Sequence, residues 1–351
     1  MFNPHKLIIT LMMALILSTG VSILSTQLAS AGSFPGVNGK IAYEHWETQG
    51  EPDTIEIYTI NPDGSGNMRL TSNNVVDDNP DWSADGRKIA FGRASESVLG
   101  DPTIDIWIMN ADGSGQTQLT FEDDWMTDPA WSPDGSKIAF ERGPRGGGDR
   151  DIWIMNADGT GMTQLTTDAD DDQNPEWSPD GTKIVFDRSN GDADVYVIDV
   201  ASKVETPLAD TDHDERAPEW SPDGTKITYY RENQGYKIYV MNADGSGQDQ
   251  LTFHDDDEVH PAWSPDGTMI AFERGNSDDD IYVMNADGSG VTPLTTSSND
   301  DRDPDWQPLP LAPVGGVAYP VNKLEILTPY LTLAGLIIAL STVYVIKRRK
   351  D

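Results

Sequence analysis

The chain has 351 residues, no cysteine, 24 Lys and Arg against 59 Asp and Glu, and a formal net charge of −35. Without cysteine there is no disulfide framework, thiolate zinc site or cysteine nucleophile. The charge argues against nucleic acid as a partner, because phosphate binding needs clustered Lys and Arg; two readings of the acidic surface remain, a solvated coat suited to a salty medium or a cation-binding role.

Residues 1–31 read as an export signal: Lys6, an apolar run from Leu7 to Leu17 that continues weakly to Leu28, and Ala29-Ser30-Ala31 as a small-residue cleavage site. A single repeat then fills residues 32–307. Trp82, Trp131, Trp177, Trp220, Trp263 and Trp306 each follow a Pro-x pair, and five of them precede Ser-x-Asp-Gly. An apolar run comes next in each copy, as in Lys137-Ile-Ala-Phe140, and a sixth such run, Lys40-Ile-Ala-Tyr43, has no Trp before it. A second run centres on Tyr58, Trp107, Trp153, Tyr196, Tyr239 and Tyr282, alternating with Ile or Val as a strand does. Twelve residues further on lies a Leu, and twelve beyond each Leu the next Trp.

These landmarks define strands a (Pro-x-Trp), b (Lys-Ile-Ala-Phe), c (the second aromatic run) and d (the Leu-Thr strand). Asp-Gly between a and b, and Asn-Ala-Asp-Gly-Ser-Gly or a variant between c and d, supply the positive φ that tight hairpins need. Four short strands in a unit of 43 to 49 residues match a propeller blade. The first copy lacks strand a, and the chain's last strand, Asp303 to Gln307, is an a strand without the rest. The two complete one another. The predicted fold is all-β, a six-bladed β-propeller of four-stranded antiparallel blades closed by a C-terminal a strand, plus one C-terminal transmembrane helix.

Blade text such as DPAWSPDGSKIAFER followed by DIWIMNADGTGMTQLT resembles the WD-like repeats of the TolB-like propeller family over residues 34 to 307. The resemblance implies the fold and not the function. TolB carries a separate N-terminal α/β domain, for which residues 32–40 leave no room, so its Tol-Pal role is not carried over. Similar propellers precede hydrolase domains in prolyl-oligopeptidase-type peptidases, but no Gly-x-Ser-x-Gly elbow occurs here.

Residues 308–326 read as a Pro- and Gly-rich linker, residues 327–346 as a transmembrane helix, and residues 347–351, beginning Lys-Arg-Arg-Lys, as a basic cytoplasmic tail. This end resembles the tripartite tails of archaeal surface proteins. The expectation is a single-pass membrane protein with its propeller outside, at the cell surface or in the periplasm.

In a meander blade the a–b and c–d turns share one rim, and the b–c and d–a connections the other. From the first residue of the b run to the c aromatic the distances are 18, 19, 16, 13, 13 and 13 residues, so length variation falls on the second rim, where binding usually resides. Its d–a loops carry Asp123, Asp124, Asp170, Asp171, Asp172, Asp212, Asp214, Asp255, Asp256, Asp257, Asp300 and Asp301, a candidate binding collar for a cationic ligand or an extracytoplasmic protein. No cofactor is required; Ca²⁺ is the ion that such oxygen ligands suit. His213, His254 and His260 in the same loops are candidate zinc or iron ligands. The Asn-Ala-Asp-Gly-Ser-Gly stretches lack the ligand series of an EF-hand and read as hairpin turns.

Arg93, Arg142, Arg188, Arg231 and Arg274 sit two residues past the last b aromatic, with His45 in the first repeat. Glu56, Asp105, Asp151, Asp194 and Asp280 open strand c, with Lys237 in the remaining copy. Their repetition predicts blade-internal ion pairs, because an active site breaks symmetry. The function expected is a non-enzymatic binding scaffold; the alternative is a glycan-directed hydrolase or lyase with carboxylates at the channel mouth.

Overall fold

The structure, a computed structural model, describes residues 36–47, 54–95, 103–145, 147–275 and 278–309. The predicted export signal, transmembrane helix and basic tail lie outside these residues, as does the linker beyond Leu309. No helix among the described residues is long and apolar enough to cross a membrane.

The elements are all strands. They run β1 (Val37–Glu47), β2 (Thr54–Ile60), β3 (Met68–Arg69); β4 (Asp77–Trp82), β5 (Lys88–Ala94), β6 (Ile104–Asn110), β7 (Thr117–Gln118); β8 (Asp124–Trp131), β9 (Lys137–Pro144), β10 (Asp151–Asn156), β11 (Thr163–Gln164). The second half continues with β12 (Asp171–Trp177), β13 (Lys183–Ser189), β14 (Ala193–Asp199), β15 (Glu205–Ala209); β16 (Glu215–Trp220), β17 (Lys226–Glu232), β18 (Tyr236–Asn242), β19 (Asp249–Gln250); β20 (Asp257–Trp263), β21 (Met269–Gly275), β22 (Asp280–Asn285), β23 (Thr292–Pro293) and β24 (Asp301–Leu309).

They form an all-β propeller of four four-stranded sheets and one eight-stranded sheet. The larger sheet comprises the meanders β4–β7 and β8–β11, joined by one parallel bridge, Ile104 to Trp125. The C-terminal strand β24 pairs with β1 in the order β24-β1-β2-β3, running two residues past the expected end at Gln307. Trp306 from this strand and Ile41 and Tyr43 from β1 pack with Ala271, Ile281 and Val283 of the sixth repeat. Burial between neighbouring sheets is the general rule; Trp177 and Phe186 of the fourth repeat lie against Ile152 and Leu165 of the third.

Strand d is shorter than the Leu-Thr spacing suggests, and the cause is the threonine. The hydroxyls of Thr71, Thr120, Thr166, Thr252 and Thr295 accept the amide hydrogen of the Ile near the start of strand c, at 2.9–3.0 Å. A side chain thus takes over from the ladder after two residues. In the fourth repeat Ala209 replaces threonine, and β15 continues for five residues, to a pair between Val195 and Ala209.

Candidate functional site

The predicted ion pairs form with different partners. Arg93 and Asp105, Arg142 and Asp151, Arg188 and Asp194, and Arg274 and Asp280 are register neighbours on strands b and c. Each guanidinium instead reaches the other way, to an acid at the start of strand a. Arg93 binds Asp77 at 2.5 Å, Arg142 binds Asp124 at 2.8 Å, Arg188 binds Asp172 at 2.6 Å, Arg231 binds Glu215 at 2.7 Å and Arg274 binds Glu258 at 2.5 Å. The c-strand aromatic decides the direction: its ring lies 4.5–4.8 Å under the guanidinium and leaves the fork free to meet a carboxylate beyond it. In the first repeat His45 takes the arginine's place, 2.5 Å from Asp301. The c-strand acids serve the d strand: Asp105, Asp151 and Asp280 accept from Thr120, Thr166 and Thr295.

The acidic collar is similarly engaged. Asp124, Asp172 and Asp301 belong to the clasps just described. Asp171, Asp214, Asp257 and Asp300 accept amide hydrogens from Arg150, Ala193, Tyr236 and Asp279, each 21 residues earlier, at 2.8–3.2 Å. Asp123, Asp212 and Asp255 are exposed, Asp170 is half-buried, and Asp256 lies 3.2 Å from His254. Of the three histidines considered as metal ligands, His213 and His254 are exposed and His260 faces inward.

His260 belongs to an axial channel that the sequence reading did not single out. Every a strand carries a register shift against its b strand, at the Pro of Pro-x-Trp. The residue before each Pro has positive φ: Asn79, Asp128, Asn174, Ala217, His260 and Asp303, at 45–51°. Such bulges re-aim a side chain, and these six residues line one cavity together with Asp81, Glu176, Glu219, Ala262 and Asp305 two residues on, Ala130 being the equivalent position in the third repeat.

The upper ring is held by b-strand acids of the preceding repeat. Glu44, Glu141, Asp187 and Glu273 accept the amide hydrogens of Asn79, Asn174, Ala217 and Asp303. Two junctions, three repeats apart, depart from the rule. At one, Gly92 stands in the acid's place, and a side chain there would collide with the carboxylate of Asp78, which fills the space. At the other, Tyr230 packs edge-on against His260, 5.5 Å between ring centres. His260 Nδ1 lies 3.0 Å from Glu273 and 2.9 Å from Asp303. Burial disfavours the imidazolium, but the charges of Asp303 and Glu273 outweigh it and hold the histidine well above its usual range. The three ligand atoms all lie within 4.8 Å of one another, so His260, Glu273 and Asp303 are a fit for one divalent ion, which would compete with the proton on His260.

The lower ring holds four carboxylates and two alanines. Asp81, Glu219 and Asp305 accept backbone amide hydrogens of Trp131, Trp263 and Trp82 in the next repeat. Burial, then mutual repulsion among Asp81, Asp305, Glu176 and Glu219, raises the pKa of Asp81, Glu176 and Glu219 well above the carboxylate range, and burial pushes Asp305 to about 7. No ion pair is formed by any of the four among the described residues. Where alanine replaces the acid, at Ala130 and Ala262, the backbone carbonyl accepts the indole N–H of Trp177 and Trp306 instead.

Residues 187–310 match the TolB beta propeller domain family. The chain carries a TolB-like propeller. TolB of Acinetobacter baumannii superposes with a TM-score of 0.66 at 22% identity, over 77% of this chain and 67% of that one. A putative TolB of Agrobacterium tumefaciens gives 0.60 at 19%, over 73% and 89%, and hydrazine synthase of Kuenenia stuttgartiensis 0.67 at 16%, over 80% and 49%. At these identities the likeness is one of fold. No curated protein sequence matches the chain.

The signal that could have exposed the channel lay beside the prolines. Asn, Asp, Asn, Ala, His and Asp precede them, types that tolerate positive φ except for Ala, and they vary where the flanking Pro and Trp do not.

Proposed function

We propose that this is an extracytoplasmic, membrane-anchored, six-bladed propeller that binds a cationic ligand at the acidic face, with the channel as the recognition element and the variable b–c loops as its surround. The six-blade count takes the eight-stranded sheet as two blades linked by one bridge. The observation that carries the reading is the lower ring, four carboxylates facing one axis with no basic side chain paired to them among the described residues. A metal ion, an ammonium or a guanidinium would relieve their repulsion. The outer collar contributes long-range attraction more than contacts, because seven of its twelve candidate residues already hold the frame together.

The test is calorimetric titration of the full chain at pH 8 with CaCl₂ and, separately, with an Arg-Lys dipeptide amide. Binding is expected to weaken at least about tenfold, 1.4 kcal/mol, in Glu176→Gln/Glu219→Gln and to persist in Asp212→Asn/Asp255→Asn, which changes only outward-facing acids. If neither probe binds, or if only the outer variant loses binding, the channel is not the site.

The alternative of a hydrolase or lyase draws support from the one-sided grouping of His260, Glu273 and Asp303. The pocket of ≈ 410 Å³ bounded by Tyr236, Asp257, Glu273, Asp279 and Arg302 gives a substrate room nearby. Turnover of an oligosaccharide that is lost in His260→Gln would favour it over the binding role.

A further inference from the structure

On the opposite rim, the rim of short turns, the repeat Ser-x-Asp-Gly has proline as x in Pro133, Pro179, Pro222 and Pro265, and alanine at Ala84. The prolines are spacers between neighbouring turns. The position a Cβ would take on Gly181 lies 3.3 Å from the ring of Pro133; for Gly224 and Pro179 the distance is 3.5 Å, and for Gly267 and Pro222 it is 3.6 Å. Gly135 follows Ala84 in the same arrangement, and nothing lies within 4 Å of that position. The missing ring opens into a pocket of ≈ 740 Å³ between the second and third repeats. Ile108, Leu119 and Trp131 supply its apolar lining, while Asp85, Asp134 and Asp158 line it against one base, Lys88.

We propose that this pocket binds an extended segment of a partner protein that presents a proline ring beside a basic residue. The ring is specified by shape, since the glycine of the next turn meets a prolyl ring at three other junctions and here, at Gly135, faces open space. An aromatic floor and a preformed slot are the means by which proline-bearing extended segments are recognised at low entropic cost. The basic neighbour is specified by charge, three carboxylates to one ammonium. Because the site lies on the rim away from the acidic face, it stands or falls independently of the channel.

The molecule supplies its own plug for the test. Ala84→Pro restores the residue used by the sister turns, so the variant is expected to fold with an equal or higher Tm. The full chain is titrated with Ac-Pro-Arg-NH₂, Ac-Pro-Glu-NH₂ and Ac-Ala-Arg-NH₂ while the amide signals of Trp131 and Gly135 are followed by NMR. The first peptide should bind with a Kd below about 1 mM and the other two at least about tenfold more weakly, and A84P should weaken the first at least about tenfold. Ala84→Leu plugs the pocket without constraining the backbone and should give the same loss if A84P does not fold. Equal binding of the three peptides, binding unchanged by both plugs, or no binding to the native chain at 10 mM, about ten times that limit, overturns the proposal.

Discussion

Arginine and carboxylate meet across strands a and b in five of the six repeats, and this pairing divides residues of one type into two energetic classes. Asp172 is fully buried under Arg188, which is itself 8% exposed. Removing the arginine strands a buried carboxylate, so Arg188→Ala should cost about 3–5 kcal/mol. Asp194, the register neighbour, has a buried oxygen without a hydrogen-bond partner, and burial followed by repulsion from Asp210 and Glu215 pushes its pKa to about 6. Asp194→Asn should therefore be neutral or stabilising above pH 6. Urea unfolding of the two variants at pH 7.5 checks both, and equal losses would return the pairing to strands b and c. The pairing was legible in one respect: an acid stands sixteen residues before Arg93, Arg188, Arg231 and Arg274. It was obscured because the acidic loops offer several carboxylates near each such position, and only the placement of the c-strand ring shows which one the guanidinium meets.

At the level of the strand, turn chemistry made the fold readable. Asp-Gly and Asn-Ala-Asp-Gly-Ser-Gly fix the hairpins, and the spacing of Trp, aromatic and Leu fixes the strand order, since each of these signals is local. The bulge in strand a is local too, but its outcome is not: it places residues from six distant segments around one axis, which no window of sequence contains. For the same reason the end of strand d ahead of its Leu-Thr pair was not legible, because the threonine hydroxyl ends a ladder formed with another strand. Closure depends on β24, whose Trp306 is 2% exposed and bonded through its indole to Ala262. Trp306→Ala should lower stability by about 3–5 kcal/mol. Amide exchange should then accelerate first at Ile41 to Tyr43 of β1. Uniform acceleration over all strands would mean that closure is not the weak point.

For the molecule as a whole, the axial carboxylates set an unusual dependence on pH. Burial, augmented by neighbouring acids for Asp78 and Asp128, raises Asp78, Asp128, Asp187 and Asp305 to about 7. A carboxyl with a folded pKa above its unfolded value of about 4 stabilises the fold fully below pH 4, and this contribution declines as pH rises towards and past 7. The melting temperature is therefore expected to be several degrees higher at pH 5 than at pH 8, and millimolar Ca²⁺ should narrow the gap at pH 8 by occupying the channel. A Tm that rises steadily from pH 5 to 8 would contradict both the ring and the cation reading.

The pairing of β24 with β1 also has a mechanical side. Val37 and Leu309 face one another at the end of this ladder, on the short-turn rim. Drawing these two points apart opens the rungs singly, like a zipper, at low force. A pull between Leu309 and an object gripped at the opposite, acidic face runs along β24 and loads its rungs in parallel. The same ladder is therefore a weak latch against separation of Val37 from Leu309 and a strong one against tension applied from the acidic face.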